Sequence, residues 1–355
     1  MNRVDPVPLS LPRLFRMMYW SAGRDRRRIP HLASVLFSFA HNWTKMRFWR
    51  HVVDRRPPVI IALMDRLGDI VSVEPVARFA REHYPDAPIL WVTSAPYAAL
   101  VAGFKDVDRA ITAKCRTEWQ FLWKTSSTIK VIDLHFSGEY CLECIISFHK
   151  SGNISQITAD SHYNYGNQLT ARSRCAGIPV LADAPGFTPD AESRRRVDQL
   201  RLPPSFIVMH CAASDPAREW CDENWSQLAD FIAEQLGVEV VEIGLAPRAI
   251  HADGPRRRNL CGQLSIMETA EVIRRARLFI GIDSGPAHLA NAMRTQGIIL
   301  MGEFRGLKRY MPYSGPYETG ELCDLILADG PVAFLPLASV LEAIKRRLAD
   351  VATRA

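Results

Sequence analysis

Short, mostly apolar runs separated by longer amphipathic stretches constrain this chain more than any other feature. The runs are Val59-Ile-Ile-Ala-Leu-Met64, Ile89–Thr93, Lys130–Leu134, Phe206–His210, Val238–Ile243, Leu278–Ile282 and Ile298–Met301. A strand with one wet face alternates apolar and polar residues, whereas a parallel strand covered by helices on both faces reads as a continuous apolar run. Helical stretches follow at Val71–His83, Asn224–Leu236, Ile266–Ala276 and Pro286–Met293, and a last one places Leu337, Val340, Leu341, Ile344 and Leu348 on one face. The alternation predicts an α/β chain with parallel sheets.

At 355 residues about two domains are expected. Prolines 179, 185, 189, 203 and 204 mark a linker over 178–204 without regular structure. On either side lie two similar halves, 57–177 and 205–335, each Rossmann-like, with a cleft between them, followed by a C-terminal helix over 336–355. Ahead of both stands an extension, 1–56. It carries 12 Lys/Arg against 3 Asp/Glu, so the remaining chain is slightly acidic although the whole has a net charge of +6. A body of that sign does not suit a nucleic-acid backbone, and no nucleic-acid partner is expected.

Within the extension Leu32, Val35, Leu36, Phe39, Ala40, Trp43 and Met46 recur at helical spacing, beside Phe48, Trp49 and several arginines. Two readings stand: an interfacial helix on an anionic membrane surface, or a helix packing its stripe on the body. If it is only an anchor, a chain starting near Arg56 stays folded. No stretch is long and apolar enough to span a bilayer, and no leader pattern opens the chain. The expected location is therefore cytoplasmic, peripheral on the inner face of the membrane. Of the eight cysteines, Cys141 and Cys144 form a CxxC, with Cys115 and Cys175 at a distance. Because the pair falls in a helical-looking run, Glu139 to Lys150, the expectation is reduced, buried thiols and no metal site.

Three segments carry chemistry. In Leu278-Phe-Ile-Gly-Ile-Asp-Ser-Gly-Pro-Ala-His-Leu-Ala290 a buried strand ends at Asp283, and a helix begins near Pro286. Free backbone N–H groups at such a start suit phosphate or diphosphate; the plain alternative is a Ser-capped helix with a buried histidine. In Ala212-Ala-Ser-Asp-Pro-Ala-Arg-Glu-Trp220, Ser214 and Arg218 suit phosphate too, unless Arg218 is a salt-bridged surface residue. In Met64-Asp-Arg-Leu-Gly-Asp-Ile70, Asp69 is either a carboxylate stabilising a helix start or a general base. Neither a G-x-G-x-x-G nor a P-loop pattern follows any strand, which disfavours dehydrogenases and P-loop NTPases.

Together these segments resemble glycosyltransferase family 9, the bacterial ADP-heptose:lipopolysaccharide heptosyltransferases. Leu67-Gly-Asp69, Val131-Ile-Asp-Leu134, Asp283-Ser-Gly-Pro-Ala-His-Leu-Ala290 and the pairs Glu219-Trp220 and Asn224-Trp225 carry the likeness, in order, from about Val59 to Leu348. The resemblance implies a GT-B fold and an inverting, metal-independent transfer of heptose from ADP-heptose to a glycolipid or surface-glycan acceptor. It implies no cofactor beyond the donor. Asp69 falls on the base, with Arg66 and Gly68 on the acceptor side. Ser214, Arg218, Asp283, Ser284, Gly285 and His288 fall on the donor diphosphate and sugar site, Glu242 near the ribose and Met267 near the nucleobase. Two readings stay open beside it: another nucleotide sugar, or a non-catalytic module binding nucleotide or glycan at the membrane. Where the family has Phe-Gly-Pro-Thr, this chain has Met301-Gly-Glu-Phe-Arg305, and its phosphate loop opens with Cys211-Ala212-Ala213.

Overall fold

A computed structural model describes residues 11–125, 128–304 and 306–354, so the first ten residues of the extension and Arg305 lie outside the described residues. The chain divides into two units, Met1–Ala182 and Asp183–Ala355. The first unit opens with helices α1 (Leu11–Arg24) and α2 (Ile29–Phe48). Its sheet and helices follow as β1 (Val59–Ala62), α3 (Leu67–Ser72), α4 (Pro75–His83), β2 (Ile89–Thr93), α5 (Ala98–Ala102), β3 (Arg109–Thr112), α6 (Arg116–Thr125) and β4 (Lys130–Asp133). A small hairpin, β5 (Tyr140–Cys141) and β6 (Ile146–Ser147), and helix α7 (Gln168–Ala176) complete it.

The four strands are parallel in the order β3-β2-β1-β4. Val59 pairs with Ile89 on one side and Lys130 on the other. Every residue of β1 and β2 is buried, as the continuous apolar runs require. The chain moves outward from β1 to β3 and then returns to the other flank of β1, so the order reverses between β1 and β4. In sheets of this kind ligands bind beyond the strand C-termini at such a switch point.

The second unit contains α8 (Ala191–Gln199), β7 (Phe206–His210), α9 (Asp222–Asp230), β8 (Glu239–Glu242), β9 (Arg257–Asn259) and α10 (Ile266–Arg275). It continues through β10 (Leu278–Ile282), α11 (Gly285–Ala292), β11 (Gly297–Met301), β12 (Cys323–Leu327) and α12 (Leu337–Arg354). The sheet is six-stranded, parallel and ordered β12-β11-β10-β7-β8-β9, with its switch point between β7 and β10. Gly281 in β10 is forced by packing: a Cβ there would lie 2.9 Å from the His210 carbonyl oxygen of the neighbouring strand.

Four expectations change. The linker is not irregular throughout, because Asp190 caps α8 by accepting from the Ser193 N–H at 2.7 Å. The Glu139–Lys150 run is a hairpin rather than a helix, with Cys141 opposite Ile146. Val71–His83 is two helices, the first starting at Leu67 and the second reset by Pro75 at its own start. The stripe of the extension is core: Leu14, Met18, Leu32 and Val35 bury against Phe121, Cys144, Ile146 and Phe148, while Phe39, Trp43, Met46 and Trp49 cover the β1–β2 face. The extension is thus a helical layer of the first unit.

Candidate active site

Each unit gathers polar side chains at the switch point of its own sheet. In the first unit, the turn after β1 leads into α3, where Asp69 stands in the first helical turn. Its Oδ2 accepts from the Arg66 N–H at 3.3 Å, and its Oδ1 faces Arg172 Nη2 at 3.0 Å. Arg172, on α7, is only 2% exposed, lies over the Phe136 ring and donates to the Leu134 carbonyl at 2.9 Å. The same Nη2 pairs with Asp65 Oδ2 at 2.8 Å, so one buried guanidinium holds both carboxylates. Burial raises the Asp65 carboxyl, but the Arg172 guanidinium outweighs it and holds it below the usual carboxylate range. Gly68 is buried against the unit, whereas Arg66 is exposed beside Asp69.

Beneath this group, at the end of β4, His135 Nδ1 lies 2.7 Å from Asp133 Oδ1, and Met64 N–H donates to His135 Nε2 at 3.2 Å. These contacts set the tautomer, with the proton on Nδ1, and burial lowers the pKa of the ring. The buried Lys150 ammonium donates to the carbonyls of Asp133 and Cys175. Glu139 approaches Arg116 at 3.5 Å and is pushed up to about 8 by burial and by the Asp65 carboxylate.

In the second unit, β7 delivers His210, and β10 delivers Asp283 and Ser284. Asp283 is 3% exposed, and both its oxygens are engaged: Tyr310 Oη donates to Oδ2 at 2.9 Å, Tyr313 Oη to Oδ1 at 3.1 Å and Arg218 Nη1 to Oδ2 at 3.0 Å. Burial and the adjacent Asp283 carboxylate hold the Tyr313 phenol well above its ordinary pKa, so it remains a donor. Both Asp283 oxygens are thus turned to the protein, and one of them fixes Arg218. That guanidinium also reaches Ser214 Oγ at 3.4 Å and lies 4.6 Å from the centroid of Phe304. Arg218 is salt-bridged, but its partner is a residue of the other motif, 65 positions away.

Ser284 occupies the N-cap position of α11, yet its side chain makes no capping hydrogen bond; its Oγ lies 3.1 Å from His210 Nδ1 instead. The Ser-capped helix is thereby set aside. Ser284, Gly285 and Pro286 are partly exposed, so the first turn of α11 opens to solvent beside Arg218. His210 is held at about 4 by burial and is neutral at ordinary pH. His288, 5% exposed, tilts against the Tyr313 ring and places Nε2 4.0 Å from Asp283 Oδ1.

Glu242 departs from the ribose contact expected of it. It is 1% exposed and accepts from the backbone N–H groups of Arg248, Ala249 and Ile250, at 2.6 Å for the last. Its carboxylate closes the loop after β8, with both oxygens turned inward. Met267, in the first turn of α10, is 8% exposed and packed into the unit. Trp220 and Trp225 stack edge to face in the core at 5.0 Å, so that pair of motif residues anchors the loop bearing Arg218. Sequence reasoning missed Asp65, Arg172, Phe304, Tyr310 and Tyr313. Their only signal was residue type, because each reaches its partner across a long sequence separation.

Residues 166–316 match the family model of glycosyltransferase family 9 (heptosyltransferase). Two curated relatives are similar over a shorter stretch: lipopolysaccharide heptosyltransferase 3 of Escherichia coli strain K12, 30% identical over 119 residues, and its Escherichia coli counterpart, 31% identical over 118. Each match covers 31% of this chain, and the chain spans about a third, 34%, of each relative's length. Among solved structures, a family 9 glycosyl transferase from Veillonella parvula superposes with a TM-score of 0.65 at 15% identity, covering 83% of this chain and 98% of that one. Escherichia coli ADP-heptose lps heptosyltransferase II gives 0.61 at 18% identity, and Escherichia coli heptosyltransferase WaaC with ADP gives 0.57 at 16%. Each of these covers 82% of this chain and 99% of the other. The fold is GT-B, and residues 166–316 are similar to glycosyltransferase family 9.

Proposed function

We propose that the chain transfers heptose from ADP-heptose to a lipopolysaccharide-type or other surface-glycan acceptor, inverting the anomeric centre without a catalytic metal. One observation carries this reading. Arg218, Ser284 and the open start of α11 converge at the switch point of the six-stranded sheet, where a diphosphate is best stabilised. The family match over the same residues agrees with it.

The chemistry assigned to these residues is a single displacement. Asp69 takes the proton of the acceptor hydroxyl, whose oxygen bonds to the anomeric carbon as the bond from that carbon to the diphosphate oxygen breaks. ADP leaves with the electron pair. Charge developing on it meets the α11 N–H groups and the Arg218 guanidinium, both fixed beforehand by Asp283, Phe304 and the helix itself. Arg172 positions Asp69 from behind. Arg66 and Gly68 border the acceptor. His288 and Met267 border the sugar and base of the donor.

Membrane association belongs to the same proposal. Tyr19, Trp20, Phe37 and Phe48 are exposed on the helical layer, among the arginines of the extension, as suits an anionic lipid surface on the cytoplasmic side. Among the described residues no helix is long and apolar enough to cross a membrane.

The test is to incubate the full chain with ADP-heptose and heptose-deficient lipopolysaccharide. Gain of one heptose with release of ADP is expected. Transfer from a different nucleotide sugar would replace the donor, and tight nucleotide binding without turnover of any donor would make this a binding module.

A further inference from the structure

The CxxC segment, left unused by the glycosyl-transfer chemistry, does not stand alone. Cys115, just ahead of α6, and His31, in the first turn of α2, arrive beside Cys141 and Cys144. The four ligand atoms lie within 4.8 Å of one another. Cys115 Sγ is 3.7 Å from Cys144 Sγ, and Cys141 Sγ is 3.7 Å from His31 Nε2. Cys175, by contrast, turns away to the His135 carbonyl.

These separations discriminate between three states of the cluster. A disulfide needs sulfurs about 2.05 Å apart, so none is formed. Independent buried thiols have no reason to aim four ligand atoms from three chain segments at one point. A tetrahedral zinc with Zn–S about 2.3 Å and Zn–N about 2.0 Å sets its ligands roughly 3.5–3.8 Å apart along each edge. Both measured edges have that length.

The hairpin around the pair has the corresponding local shape. Cys144 N–H donates to Cys141 Sγ at 3.4 Å, and Ile145 N–H to the Cys141 carbonyl at 2.8 Å. Ile145 then takes φ of 52°, a left-handed conformation rare for a β-branched residue, to send the chain back into β6. Ser21 on α1 also donates to the Cys144 carbonyl, so both N-terminal helices meet the hairpin here.

We propose that His31, Cys115, Cys141 and Cys144 bind one structural zinc ion that fastens the N-terminal helical layer to the sheet domain. Three thiolates and one imidazole make a closed structural zinc set and leave no place for a substrate. On binding, each thiol gives up its proton to solvent and the imidazole coordinates through Nε2; no electron is transferred. The site is independent of the glycosyl-transfer reading, since neither Asp69 nor Arg218 belongs to it.

The experiment uses the full chain, produced with zinc in the medium and freed of any polyhistidine tag. Metal analysis should find one zinc per chain. Replacement by cobalt should give a thiolate-to-cobalt charge-transfer band and the intense visible bands of a tetrahedral site, saturating at a single equivalent. His31→Ala, at a partly exposed position, keeps the fold. It should weaken cobalt by at least the roughly 10–100-fold that loss of an outer-shell partner costs. Cys141→Ser should weaken the charge-transfer band, since one of the three thiolates is gone. Folded wild-type chain that holds only traces of zinc and gives no cobalt spectrum would overturn the proposal, as would a Cys115–Cys144 disulfide in the mass spectrum. A cobalt spectrum indifferent to both His31→Ala and Cys141→Ser would do the same.

Discussion

At the residue scale the account rests on which side chains are held and which are offered. Asp69 is held by Arg172 from one side and by its own helix start from the other, leaving it 22% exposed. Asp69→Asn keeps the shape and removes the base, so turnover should fall by roughly 10²–10⁴ with donor binding unchanged. Arg218 is held by Asp283 and Phe304 beside the open start of α11. A charge-assisted contact contributes about 1.5–3 kcal/mol, so Arg218→Ala should weaken ADP by roughly 10–150-fold and AMP by less, as titration calorimetry can show. His210 makes a pH prediction. Burial depresses its pKa from 6.5 to about 4, so its contribution to stability is complete above 6.5 and is lost as pH falls towards 4, where the unfolded chain binds the proton more readily. Urea unfolding from pH 7 to 4 should show this loss. His210→Gln should shallow the slope across that window, and an unchanged slope would mean that the ring is not buried neutral.

Elements explain how much of this was legible. Strand ends and helix starts are written locally: Asp283, Ser284 and Pro286 sit in one turn, and the sequence shows that turn. Edge strands are not. β3 buries one residue, Ile111, and β12 one, Cys323, so neither carries the continuous apolar run that marks β1 or β10. Long-range partners are equally silent. Arg172 meets Asp69 across 103 positions and Tyr313 meets Asp283 across 30, and no periodicity announces either. Glu242 is silent in the same way: a carboxylate at a strand end looks the same whether it faces a ribose or three backbone N–H groups. The stripe of α2 was legible as apolar; whether it faced lipid or protein was not. Leu14, Met18, Leu32 and Val35 are each at most 5% exposed. At about 1.5–3 kcal/mol for each such side chain, removing them consumes much of a typical margin of about 5–15 kcal/mol. A chain beginning at Arg56 should therefore aggregate or unfold at least 10 °C lower by calorimetry, roughly what a loss of a few kcal/mol implies. A truncated chain as stable as the whole would remove α1 and α2 from the core.

On the scale of the whole molecule, two parallel sheets each place a polar group at their own switch point. One holds a carboxylate suited to activating a hydroxyl, and the other a cation and a helix start suited to a departing diphosphate. The helical layer adds a third feature, arginines with exposed aromatic side chains around a buried stripe. If that surface meets anionic lipid, vesicle binding should fall steeply with salt, because each basic residue near the membrane contributes on the order of 1 kcal/mol. Neutral vesicles should bind little. Binding that is equal on neutral and anionic vesicles would assign the aromatic residues another role. The central claim, transfer from a nucleotide diphosphate sugar with Asp69 as base, is tested most directly by single-turnover transfer from ADP-heptose to heptose-deficient lipopolysaccharide. Wild-type chain should form one glycosidic bond of inverted configuration per ADP released, and Asp69→Asn should bind ADP normally while transferring roughly 10²–10⁴ times more slowly. Retained configuration, or transfer by Asp69→Asn at the wild-type rate, would contradict it.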